Sequence, residues 1–104
     1  MATLTKVLAR TAAATSSTVL YTVPASTTTV VSNIAVTNTA GSAGTFTLGM
    51  GTAGSNTSLH TTTAIAANAT AYIDLKQVLV TTNTITGLAS ATTINFHISG
   101  VEIA

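Results

Sequence analysis

The stretch Ile94-Asn95-Phe96-His97-Ile98-Ser99 alternates apolar and polar residues without a break. In an extended chain, successive side chains point to opposite faces, so this pattern buries one face of a strand and wets the other. The same period recurs along the chain. Phe46, Leu48 and Met50 alternate with Thr45, Thr47 and Gly49, and Ala71, Ile73 and Leu75 alternate with Tyr72, Asp74 and Lys76. Val19, Tyr21 and Val23 fall on one face and stop at Pro24, while Ile34 and Val36 fall with Val30. Helical signals are nearly absent: residues 62–71 contain alanine but carry no apolar stripe at i, i+4. The abundant Thr, Val and Ile are stiff at χ1 and pack well on a pleated surface.

Turn-forming clusters separate these segments: Pro24-Ala25-Ser26, residues 40–44, residues 51–56, Ala67-Asn68, Thr82-Asn83 and Ala89-Ser90. Their spacing of about 8–15 residues suits short antiparallel strands. The pattern predicts strands at 3–9, 17–23, 28–38, 44–50, 57–65, 69–76, 83–88 and 92–103. The fold class is therefore all-β, an antiparallel β-sandwich of about eight strands, jelly-roll-like or Ig-like. A length of 104 residues makes residues 1–104 a single domain. Gly100 breaks the parity of the last strand, because Val101 and Ile103 are odd and the preceding apolar set is even. A β-bulge at Gly100 would bring them back to the core.

Charge sets the next limit. Charged residues make up 5% of the chain and the formal net charge is +1, so polarity comes from hydroxyls and amides. Such a surface offers little long-range repulsion and favours association, although threonine and asparagine can also solvate a monomer. There is no cysteine, hence no disulfide and no thiolate metal site. No apolar run reaches the roughly 20 residues of a helical membrane span. The N-terminal Lys6 and Arg10, among Thr, Ser and Ala, loosely resemble a transit-peptide composition, but the alternation over residues 3–9 reads better as a strand. Lys6, Arg10 and Lys76 are too few to track a phosphate backbone, so no nucleic-acid partner is expected.

No set of residues spells out chemistry. Asp74 and Glu102 are the two carboxylates, and each sits beside apolar neighbours assigned inward, so both should face solvent rather than form a hydrolytic pair. His60 and His97 have no cysteine or carboxylate partner suited to a zinc site, and the parity of His97 puts it on the exposed side or against a neighbouring subunit. Residues 49–54 fit G-x-G-x-x-G by letter, but no helix follows, and they read as a glycine-rich hairpin. A G-x-S-x-G elbow is absent. Thr-x-Thr occurs at Thr3/Thr5, Thr37/Thr39, Thr45/Thr47 and Thr84/Thr86 without the fixed repeat that a flat ice-binding rank requires. The expectation is a non-enzyme with no catalytic, metal or cofactor-binding residues, no cofactor and no small-molecule substrate.

Two segments together resemble a known family. LYTVPASTTTVVSNIAVTNTAGSAGTFTL and NTITGLASATTINFHISGVEIA are similar to the opening and close of small virion structural proteins of tailed bacteriophages, cyanophages among them. The matching positions include Tyr21, Val23, Pro24, Val30, Val31, Ile34, Val36, Asn38, Phe46, Leu48, Phe96, Gly100, Val101, Glu102 and Ile103, over about half the chain. Ser26 stands where the family often has a charge, and the strand at Phe46 lacks its usual arginine. The resemblance implies a capsid decoration (cement) protein on the virion surface. Its partners would be copies of itself, often as a trimer, and the major capsid protein. Residues 1–16 would serve as an arm to neighbouring subunits. The alternatives are a tail, neck or fibre component of the virion, and a non-viral adhesive or carbohydrate-binding β-sandwich.

Overall fold

In the computed structural model, which describes residues 3–52 and 55–104, the chain forms eight strands. They are β1 (Thr3–Ala12), β2 (Thr18–Thr22), β3 (Thr28–Asn38), β4 (Gly44–Thr52), β5 (Ser55–Ile65), β6 (Thr70–Leu79), β7 (Asn83–Ala89) and β8 (Ile94–Ile103). Two four-stranded antiparallel sheets stack, with strand orders β1-β8-β3-β6 and β2-β7-β4-β5. The order has a simple origin. The β4–β5 hairpin is the tip of one long antiparallel ribbon in which β3 pairs β6, β2 pairs β7 and β1 pairs β8. Rolling that ribbon adds the β3–β8 and β4–β7 pairings and yields a jelly roll, which decides between the two sandwich types open in the sequence.

The core is the inner face of both sheets. Val31, Ile34, Val36, Phe96 and Ile98 from the first meet Phe46, Leu48 and Ile85 from the second, all at most 1% exposed. Phe46 and Phe96 meet edge to face across the layer, with ring centroids 6.4 Å apart. At one end, buried Asn38 organises the corners: its Nδ2 donates to the carbonyls of Ser42 (2.9 Å) and Ala66 (3.3 Å), and its Oδ1 accepts from the Ala40 amide (3.0 Å). At the other, Thr27 and Thr81 exchange bonds, with Thr81 Oγ1 donating to the Thr27 carbonyl and accepting from the Thr27 amide.

The register corrects several side-chain assignments. β8 passes through Gly100 without a bulge: Gly100 pairs with Lys6 and Val31, and Val101 with Thr5 and Val30. The irregularities lie on its partners, at Leu8 in β1 and Ser32 in β3. Val101 and Ile103 therefore stay on the outer face. Val30 also faces out, and Val31 takes its place beside Ile34 and Val36. A shift at Leu20 likewise turns Val19 outward, 54% exposed, away from buried Val23. Gly100 has a different duty: a Cβ there would lie 2.3 Å from the Val30 carbonyl oxygen, so glycine lets β3 approach β8 where β3 bulges.

Residues 3–12, the larger part of the expected arm, form β1, an edge strand paired along its length with β8. Of the G-x-G-x-x-G stretch, residues 49–52 end β4 and lead into the β4–β5 hairpin, while Ala53 and Gly54 lie outside the described residues.

Candidate functional site

Three regions carry the polar chemistry. The first lies at the end of the sandwich where β8 finishes. Because β8 runs on without a bulge, Glu102 keeps the inward parity of Phe96 and Ile98 and is 7% exposed, which corrects the expectation that it faces solvent. A buried carboxylate needs partners, and both oxygens have one. Lys6 Nζ donates to Oε1 (3.2 Å) and the Tyr21 hydroxyl donates to Oε2 (2.5 Å). Thr29 shares a bond with the same Tyr21 oxygen (2.8 Å). Tyr21 belongs to β2 and Glu102 to β8, so the bond ties the two sheets together. The Tyr21 bond, followed by Lys6, holds the Glu102 carboxyl below its ordinary range against the opposing effect of burial. Burial and then the bond to Glu102 push the Tyr21 phenol up to about 12. Each carboxylate oxygen and the phenol are thus engaged in holding the sheets.

The second region is the outer face of the β2-β7-β4-β5 sheet. Gly49 leaves a shallow cleft of about 200 Å³ bordered by Ser17, Thr47, Asn56, Ser58 and Thr86. With its amide nitrogen toward the Thr52 carbonyl (2.8 Å) and its oxygen toward the Thr86 hydroxyl (2.8 Å), Asn56 satisfies both amide atoms. The hydroxyl and amide groups that border the cleft can exchange hydrogen bonds with a neutral ligand.

The third is the outer face of the β1-β8-β3-β6 sheet, where direct cross-strand pairing aligns the side chains. One row runs Thr5, Val101, Val30, Val78 across β1, β8, β3 and β6. The next holds Val7, Ser99, Asn33 and Asp74, and the one after it Arg10, His97, Ala35 and Tyr72. Val78 is 63% exposed and Tyr72 76%.

The carboxylates lie on opposite faces of one sheet, Asp74 outside and Glu102 inside. The two histidines are in different sheets: His60 stacks near Phe46, with ring centroids 5.6 Å apart, and His97 is exposed on the outer face as its parity implied. Among the described residues, no three of His, Cys, Asp and Glu gather as a metal site. The Thr-x-Thr pairs divide between the two outer faces, Thr3/Thr5 on one and Thr45/Thr47 on the other. Sequence reasoning missed the Glu102–Tyr21–Lys6 cluster; unbroken even parity from Ile94 to Glu102 was the signal that could have found it.

The architecture defines a jelly-roll β-sandwich domain, a class that includes viral capsid and lectin domains. No protein-family model matches the chain, and no curated protein does. Solved structures do. A chain in the crystal structure of the T13 particle of infectious bursal disease virus superposes with a TM-score of 0.61 at 9% identity, covering 97% of this chain and 30% of that one. A chain of the Gx strain of the same virus gives 0.58 at 12% identity, with the same coverage. A chain of Bacillus endospore appendages, described as a family of disulfide-linked pili, gives 0.53 at 14%, covering 97% of this chain and 83% of that one. This chain spans less than a third of the length of the virus chains, and at these identities the likeness is one of fold.

Proposed function

We propose that this protein is a structural subunit of a virion, a capsid decoration (cement) protein that binds the outside of a phage shell and bridges neighbouring coat subunits. The observation that carries the reading is the near-complete superposition of the chain on part of a virus-particle chain, at a TM-score of 0.61. The resemblance of residues 20–48 and 83–104 to small phage virion proteins supports it independently. Fold alone does not assign function, but the chemistry agrees. The ionisable groups are dispersed or used to hold the sheets, and the exterior is nearly neutral. Many weak contacts on a repeating lattice act together, so no single contact need be strong. The protein catalyses no reaction in this reading.

Copy number per particle tests it. Quantitative mass spectrometry of purified particles should find the chain in hundreds of copies, on the scale of the coat protein. A dozen copies or fewer would move the assignment to a tail, neck or fibre part, and absence from particles would end it. The hydroxyl-lined cleft around Asn56 favours a second reading, a sugar-binding sandwich. Its borders lack an aromatic platform, since Tyr72 lies on the other sheet. Reproducible hits on a glycan array, lost in Asn56→Ala, would favour it.

A further inference from the structure

We propose that the outer face of the β1-β8-β3-β6 sheet is where two copies of this chain pack, related by a twofold axis running along the strands between β8 and β3. The inference stands on the geometry of that sheet and does not depend on the shell-binding role.

The charge distribution points to this occupant. The chain has five charged residues, and four of them, Lys6, Arg10, Asp74 and Lys76, lie on β1 and β6, the two edge strands of this sheet. Charges and register shifts on an edge strand discourage pairing through the edge, and both edges have register shifts. The flat face between them is left for contact. Arg10 and Asp74 project from that face at its opposite margins, three strand spacings or about 14 Å apart. The ion pair found among the described residues is Lys6–Glu102, which involves neither of them. A twofold axis along the strands exchanges the margins and keeps the level along the strand. It sets Arg10 of one copy against Tyr72 of the other, with Asp74 one row away, about 7 Å along the strand. The guanidinium then reaches an aromatic face and a carboxylate. The same operation, which makes every contact twice, places Val101 on Val30, Thr5 on Val78 and Ser99 beside Asn33, and brings Val7 opposite Asp74. Apolar groups meet near the axis, and hydroxyl and amide groups meet each other.

Size is consistent with a stable contact. Four strands give a face about 19 Å wide and about 30 Å long, or about 600 Å² before side-chain relief is added, close to the ~800 Å² per partner of a standard interface. The aligned stacking of two twisted sheets is an ordinary packing mode. This twofold contact is an alternative to the threefold arrangement that the phage resemblance implies.

Sedimentation equilibrium of the purified full chain tests the proposal, with circular dichroism checking that each variant keeps its fold. The chain should form a dimer. Val101→Lys should leave monomer over the accessible concentrations. Arg10→Asp sets like charges together and should weaken the dimer about tenfold, while Arg10→Asp combined with Asp74→Arg should restore most of the affinity. The restoration is diagnostic, because within one chain these residues are too far apart to pair. A chain that stays monomeric, a trimer or larger oligomer, a dimer indifferent to Val101→Lys, or a double exchange no tighter than the single one would each overturn the proposal. A dimer that fails to bind shells would contradict the decoration role and leave this contact standing.

Discussion

The two sheets share a core and differ in everything outside it. The β1-β8-β3-β6 sheet holds all five charged residues of the chain, and the β2-β7-β4-β5 sheet holds none. The outer face of the first sets valines beside an arginine and a tyrosine, whereas that of the second offers mainly threonine, asparagine and glycine, with Val19 and Leu88 among them. The difference teaches where information sits in a charge-poor protein. Threonine can solvate a sheet without choosing a partner. The few ions, placed at strand margins or locked to a phenol, specify what the first sheet meets and how it closes on the second.

The core they share gives the largest expected effect. Phe96→Ala should destabilise by about 3–5 kcal/mol in chemical denaturation, since the ring is fully buried between the sheets. A loss below about 1 kcal/mol would show that the inward face is assigned to the wrong residues. The contrast between the sheets sharpens with glycine. Gly100→Ala drives a Cβ against the β3 backbone and should cost about 3 kcal/mol. Gly49→Ala, on the outer face of the other sheet, brings its Cβ to 3.3 Å from its nearest neighbours and should cost less than about 1 kcal/mol. Equal losses would remove the distinction.

The Glu102–Tyr21 bond predicts a pH window with two limits. The Glu102 carboxyl is held below its ordinary value of 4.5, so its contribution is present above that pH and is lost as acid takes the pH down through the lowered folded value. Tyr21 is raised from 10.0 to about 12, so its contribution is present below pH 10 and is lost as the pH climbs toward 12. Thermal melts should therefore show lower stability at both extremes. Glu102→Gln should flatten the acid limb, and an unchanged acid limb in that variant would place the titration elsewhere. The smallest effect belongs to the uncharged sheet. Asn56→Ala should cost about 1 kcal/mol and leave the pH profile unaltered, because its partners are hydroxyls and carbonyls.

How much of this was legible in the residues follows from the same physics. Period-two alternation gave strands, and β3 runs over residues 28–38, as its pattern predicted. The turn clusters marked the corners: Ser26, Asn68 and Thr82 all adopt positive φ there. Bulges were not legible: those at Leu8, Leu20 and Ser32, and the further shifts where β5 pairs β4 and β6 pairs β3, fall on residue types that carry no such signal. The glycine that looked like a bulge marks a close approach instead. Each unseen shift reversed the faces beyond it, which moved Val30 and Val19 outward, whereas Val101 and Ile103 stay outward because β8 lacks the bulge expected at Gly100. The buried carboxylate was hidden for a related reason. A charge between apolar residues reads as solvent-facing until the tyrosine that satisfies it, 81 positions away, is brought to it by the fold. The valine rows of the outer face likewise depend on pairing among four strands.

Electron cryo-microscopy of particles that carry this chain tests the account most directly. It predicts a jelly roll repeated in many copies outside the shell, with the β1-β8-β3-β6 face covered by another copy and the threonine-rich face open to solvent. Particles lacking the chain, or a repeated copy whose valine-bearing face stands bare while the threonine-rich face is buried, would contradict it.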